Sequence, residues 1–145
     1  MKILAEEIIM GLVYTEITLK NANDKMMAKK GYIKEEDIRS KTITAMVDTG
    51  AWTLVINEAV REELGLDILG KEPGDLADGQ RVFLDMAGPL ELWWKDRWFL
   101  MPALVAPNAK DILLGAIPLE AIDLVVDPRN ETLVGRNGEQ VVHKV

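Results

Sequence analysis

Apolar and polar side chains alternate over residues 13–19, and the β-branched content of that run predicts a strand. The period then changes. Residues 21–31 offer Asn23 or Asp24 as a helix N-cap, a run of helix formers, and Gly31 as a stop. Residues 34–40 predict a further helical turn, so about residues 21–40 form a helical insertion between two strands. The strand pattern resumes at 41–47 and runs into Asp48. Asn57 is placed to cap a helix over 58–64, where Val60 and Leu64 lie one turn apart and Gly65 ends it. Asp78-Gly79 is a turn signal between two short strands. Residues 89–106 read as two strands around Lys95-Asp96. Trp93, Trp94 and Trp98 cluster there, either as a binding surface or as core and interface. Beyond them come an apolar strand, Gly115, a short helix opened near Pro118, and another strand. Pro128 and Asn130 mark a last turn before residues 132–135. No repeat and no Gly/Ser-rich linker interrupts the chain. The pattern predicts an all-β fold that closes on itself, with short helices, in one domain over 1–145.

Composition narrows the chemistry. Hydrophobic residues make up 48% and charged residues 28%, an ordinary balance for a chain that buries its own core. The net charge of −7, with no Lys/Arg cluster, argues against nucleic acid or an anionic membrane as partner. There is no cysteine, and the one histidine, His143, lies in the C-terminal tail. Thiol chemistry and a multi-His or Cys zinc site are excluded, and a Ser-His-Asp engine would have to rely on that tail residue. No phosphate-binding glycine loop, EF-hand or dinucleotide fingerprint is present, so neither metal nor cofactor is expected. Glu6 and Glu7 interrupt the apolar N-terminal stretch, which reads as neither a secretory leader nor a membrane span. A cytoplasmic protein is expected.

One residue does not fit the pattern. Asp48 stands between Ala45-Met46-Val47 and Leu54-Val55-Ile56, and a carboxylate among apolar residues must be hydrogen-bonded, paired or neutralised. It could be a turn aspartate that bonds to local backbone. The residues around it suggest more. An apolar strand ending in Asp48-Thr49-Gly50-Ala51 resembles the active-site loop of the aspartic proteases. Ile112-Leu113-Leu114-Gly115, followed by a short helix, is similar to the second conserved element of the retropepsin-like branch. Strand, Asp-Thr-Gly-Ala, hairpin, Leu-Gly and helix occur in that family's order over about residues 10–128, and the hairpin resembles that of bacterial single-domain members.

The resemblance implies a closed acid-protease barrel and hydrolysis of peptide bonds by water held between two aspartates. Asp48 would carry the catalysis. Thr49 and Gly50 would shape the loop, with the Thr49 hydroxyl reaching the partner loop. Ala51, Trp52 and the hairpin residues Asp78 and Gly79 would contact substrate, the last two as a flap tip or else as a plain surface turn. Only one Asp-Thr/Ser-Gly is present, so the second aspartate must come from a second copy, which implies a homodimer acting on a peptide or protein. Ala51 stands where pepsin-like enzymes have a hydroxyl that donates to the aspartates. Its absence implies activity reaching to higher pH. Trp52 and Ala116 occupy the places where many retroviral members form an acid–arginine pair. The chain also runs on past the short helix, so the family's interleaved terminal sheet is not assumed. A rival reading is a protease-like dimeric module that binds peptide without turnover. The short hairpin favours that rival, because a flap has to cover its substrate.

Overall fold

The computed structural model describes residues 12–76, 78–141 and 145; Glu6, Glu7 and His143 lie outside them. Strand β1 (Val13–Asn21) turns Val13, Ile17 and Leu19 inward, as its alternation requires. One edge pairs antiparallel with β2 (Ser40–Val47) and the other with Leu90–Trp93 of β5 (Arg81–Trp94). From β2 the sheet continues through β7 (Ile112–Leu114), β3 (Leu54–Ile56) and β6 (Arg97–Val105) to β5. The β1–β5 pairing therefore closes six strands into a mixed barrel, the all-β acid-protease architecture that the sequence predicts. Leu19, Leu54, Ile56, Leu90, Leu92, Leu114 and Ile122 fill it, each fully buried. Burying a side chain of this size contributes about 1.5–3 kcal/mol, so the barrel wall is a rigid support for what it carries. Strand β8 (Leu124–Asp127) and β9 (Thr132–Gly135) form a separate two-stranded sheet, which sends Leu124 and Leu133 into the same core. Among the described residues no helix is long and apolar enough to cross a membrane.

The insertion closes on itself. It holds α1 (Ala22–Lys29) and a 3-10 turn at Glu35–Asp37, and Asn21 N donates to Arg39 O at 2.9 Å across its neck. The cap of α1 differs from the sequence expectation. Asn21 is the N-cap, accepting from Asp24 N at 3.0 Å, rather than Asn23 or Asp24. Tertiary contacts decide this: Asn21 Nδ2 is fixed by Leu64 O at 2.8 Å, and the Asp24 carboxylate is taken by Arg39 N, Nε and Nη2 at 3.0, 2.8 and 2.9 Å. Helix α2 (Glu58–Leu64) is as predicted, with Asn57 accepting from Val60 N and Gly65 ending it at φ 61°.

The expectation of a short hairpin is overturned. Strand β4 (Asp67–Asp75) has nine residues and β5 has fourteen, and they pair from Asp67↔Gly88 to Asp75↔Arg81. Gly70, Pro73 and Gly74 hide β4 from a pattern search. Almost every β4 position is exposed, so burial imposes no alternation either. In β5 a bulge between Ala87 and Leu90 carries one strand through Gly88-Pro89, where the sequence suggests two. The tryptophans divide between the core and the surface. Trp94 is buried and donates to Thr15 Oγ1 at 2.8 Å, whereas Trp93 stacks on the half-exposed Trp98 on the outside of the barrel.

Candidate active site

Strand β7 lies between β2 and β3, parallel to the first and antiparallel to the second. The chain leaving β2 must cross the end of β7 before it can return as β3. Residues 48–53 make that crossing, and both of its shoulders are fastened to β7. Asp48 N donates to Leu114 O at 3.0 Å, and Gly115 N donates to Thr53 O at 3.1 Å. The next two amides begin α3 (Ala116–Ala121), which has no side-chain cap. They donate to the loop instead, Ala116 N to Ala51 O and Ile117 N to Trp52 O, each at 3.0 Å. The loop carbonyls thus satisfy N–H groups that a helix leaves unpaired in its first turn. Gly115 permits the approach. A Cβ on it would lie 2.7 Å from Ala51 O and 2.8 Å from Thr53 N.

Within the loop, Asp48 Oδ1 accepts from Gly50 N at 2.9 Å, and Asp48 O accepts from Ala51 N at 3.0 Å. A Cβ on Gly50 would stand 3.1 Å from Oδ1 and crowd the carboxylate. Asp48 is half-buried, Thr49 and Gly50 are exposed, and Trp52 is 70% exposed, while Thr53 and Leu54 behind them are buried. The apolar neighbours of Asp48 in sequence therefore support it from below and do not enclose it. The Thr49 hydroxyl makes no hydrogen bond among the described residues. Nor does any group of three or more His, Cys, Asp or Glu side chains there suit a metal ion.

Asp78 and Gly79 sit elsewhere, at the tip of the β4–β5 arm. Leu76 N donates to Gln80 O at 2.8 Å, Gln80 N to Asp78 Oδ1 at 2.9 Å, and Gly79 takes φ 86°. Behind the tip Arg81 Nε lies 2.8 Å from Asp75 Oδ1, and this guanidinium holds the Asp75 carboxyl below its ordinary range. The eight paired positions of the arm reach about 25 Å at 3.3 Å per residue. It carries Ile68, Leu69, Leu76 and Phe83 exposed, an unusual display for a free surface. By the two-residue period, Phe83 lies on the face of β5 that continues from the inward-facing Ala87. No hydrogen bond or ion pair joins the tip to the 48–53 loop among the described residues.

Residues 48–52 are legible in the sequence, but their supports are not: the Leu114 carbonyl, the Ala116 and Ile117 amides, and the buried Thr53. Leu114-Gly115 was the available signal. The reason for its glycine is visible only where two backbones meet.

A family model described as aspartyl protease matches residues 35–117, from the 3-10 turn through β2, the Asp48 crossing, the arm and β7 to the start of α3. The match spans more than half of the chain. The chain belongs to the aspartyl protease family. The family is of the retropepsin-like type, and the barrel and the crossing at Asp48 are consistent with that membership. A comparison with curated proteins returned no match. The Asp48–Gly50 bond is the one that a turn aspartate makes with local backbone.

Proposed function

We propose that this aspartyl protease is an endopeptidase that works as a homodimer, with one Asp48 from each copy facing across a two-fold axis. The observation that carries this reading is the half-site. One Asp-Thr-Gly loop, exposed at Thr49 and Gly50, is fixed rigidly to the barrel, and the sequence holds no second one. Two close carboxyls do not both ionise readily, so the pair shares one proton and titrates as a unit, as aspartic-protease dyads are known to do. The ionised member takes a proton from the bound water as its oxygen attacks the scissile carbonyl carbon. The protonated member gives its proton to the carbonyl oxygen. Collapse of the tetrahedral species returns a proton to the amide nitrogen as the C–N bond breaks. Thr49 would bond across the axis, Gly50 would leave room for the substrate backbone, and Ala51 and Trp52 would line the cleft. The long arm, with its tip at Asp78 and Gly79, supports closure over substrate and removes the short-hairpin objection to turnover.

The test is cleavage of an unfolded protein or peptide mixture by the wild type and by Asp48→Asn, alongside sedimentation at micromolar concentration. The expected results are peptidase activity, its loss in the folded Asn variant, and a mass about twice the 16.2 kDa chain. Undiminished cleavage by Asp48→Asn, or a strict monomer that cleaves, would overturn the proposal.

A further inference from the structure

Arg97 is 5% exposed, an unusual depth for a guanidinium. It begins β6 directly after the Lys95-Asp96 turn. Its Nη1 donates to Ile122 O and Asp123 O, both at 3.0 Å, and its Nη2 donates to Gly138 O. The first is the C-cap carbonyl of α3 and the second belongs to the residue after the cap; the last turn of the helix contains no basic residue of its own. A cation there satisfies a carbonyl that the helix leaves unpaired at its cap and complements its dipole. Gly135 makes room for it, since a Cβ on Gly135 would collide with Nη2 and lie 3.0 Å from Cζ. Asp123 reinforces the junction: its O accepts from Arg136 N at 2.8 Å and its Oδ2 from Asn137 Nδ2 at 2.7 Å.

Helix α3 is thus held at both ends. Its first amides hold Ala51 O and Trp52 O of the Asp48 loop, and its C-cap carbonyl, with the one after it, is held by Arg97. It is only six residues long, so a shift at one end reaches the other without attenuation. Among the described residues no ion pair joins the loop to the helix, and the contacts between them are the two backbone bonds from Ala116 N and Ile117 N. We infer that Arg97 is a positioning residue for the reaction. By clamping the C-terminal end of α3 to β6, it sets the height and tilt at which α3 presents the Asp48 loop to the second copy. The inference rests on the dimeric-peptidase proposal for its effect on catalysis, but not for its effect on the loop.

The test compares Arg97→Lys and Arg97→Met with Leu133→Ala, which opens a cavity under β9 and lowers stability without touching α3's carbonyls. Hydrogen exchange is measured on all four proteins at the amides of Asp48, Ala51 and 115–117. Steady-state kinetics are normalised to the folded fraction well below each melting point. The expected result is faster exchange at those amides in Arg97→Met, with β6 amides unchanged, and a kcat about 10–100-fold lower with KM within about twofold. Arg97→Lys should recover part of both effects, because it keeps the charge and some of the donors. Leu133→Ala should show neither at matched stability. Exchange in Arg97→Met equal to that of Leu133→Ala would overturn the inference whether or not the protein proves to be a peptidase. So would unchanged kcat in an active wild type. Activity indifferent to Asp48→Asn would remove the peptidase proposal alone, leaving the exchange comparison to decide the role of Arg97.

Discussion

Gly115→Ala perturbs the junction between β7, α3 and the Asp48 loop with a single methyl group. The glycine has φ −90° and ψ −171°, ordinary extended backbone, so alanine adds no conformational strain of its own. The cost is steric. The new Cβ would meet Ala51 O at 2.7 Å and Thr53 N at 2.8 Å, with Thr53 O closer still, and all three are backbone atoms that cannot rotate away. The loop must withdraw by about half an ångström, the scale of misfit that overpacking imposes. The three bonds that would stretch are Gly115 N to Thr53 O, Ala116 N to Ala51 O and Ile117 N to Trp52 O, at 3.1, 3.0 and 3.0 Å. At about 0.5–1.5 kcal/mol each, their weakening together with the overpacking costs about 2–4 kcal/mol. For a chain of this length that is a fall in Tm of roughly 5–15 °C. A displaced loop also moves Asp48, so kcat should fall about 100-fold in the molecules that remain folded. Calorimetry and peptidase assays on the purified variant measure the two effects separately. A Tm within about 1 °C of wild type would show that the crossing is not tightly packed, and the reasoning from Gly115 would be wrong.

Other consequences follow from single contacts. Arg39 holds the Asp24 carboxyl below its ordinary range by direct hydrogen bonds, so this pair stabilises the fold above the unfolded pKa and ceases to as pH falls through the folded value. Because Arg39 is half-exposed and screened, Asp24→Asn should cost about 1–2 kcal/mol at neutral pH, with the deficit shrinking below about pH 4. Urea midpoints for both proteins at two pH values test this, and a constant deficit would contradict it. Phe83→Ser should leave Tm within about 1 °C, since Phe83 is 72% exposed, yet lower kcat/KM about fivefold if the arm closes over substrate. An unchanged kcat/KM would take Phe83 out of the cleft. Ala51→Ser should move the upper limb of the kcat/KM profile to lower pH, because a donated hydrogen bond favours the ionised pair. An upward shift would refute that account of the alanine.

Local pattern determined much of this protein. Alternation at 13–19 and 41–47 specified β1 and β2, because side chains two residues apart share a face whatever lies beyond them. Asn57 and Gly65 bounded α2 through bonds made within a few residues. Asp48-Thr49-Gly50-Ala51 with Leu114-Gly115 pointed to the family, since both are short runs of neighbouring residues in a recognisable order. Features that depend on a distant neighbour were out of reach. The cap of α1 moved to Asn21 because Leu64 holds its side chain and Arg39 claims Asp24. Strand β4 carries almost no apolar period because it stands outside the barrel, where nothing buries either face. The partial exposure of Asp48 was likewise a tertiary outcome. Its neighbours are apolar in sequence, yet the crossing over β7 leaves it only half-buried, because two strands separated by a third can be joined only around its end.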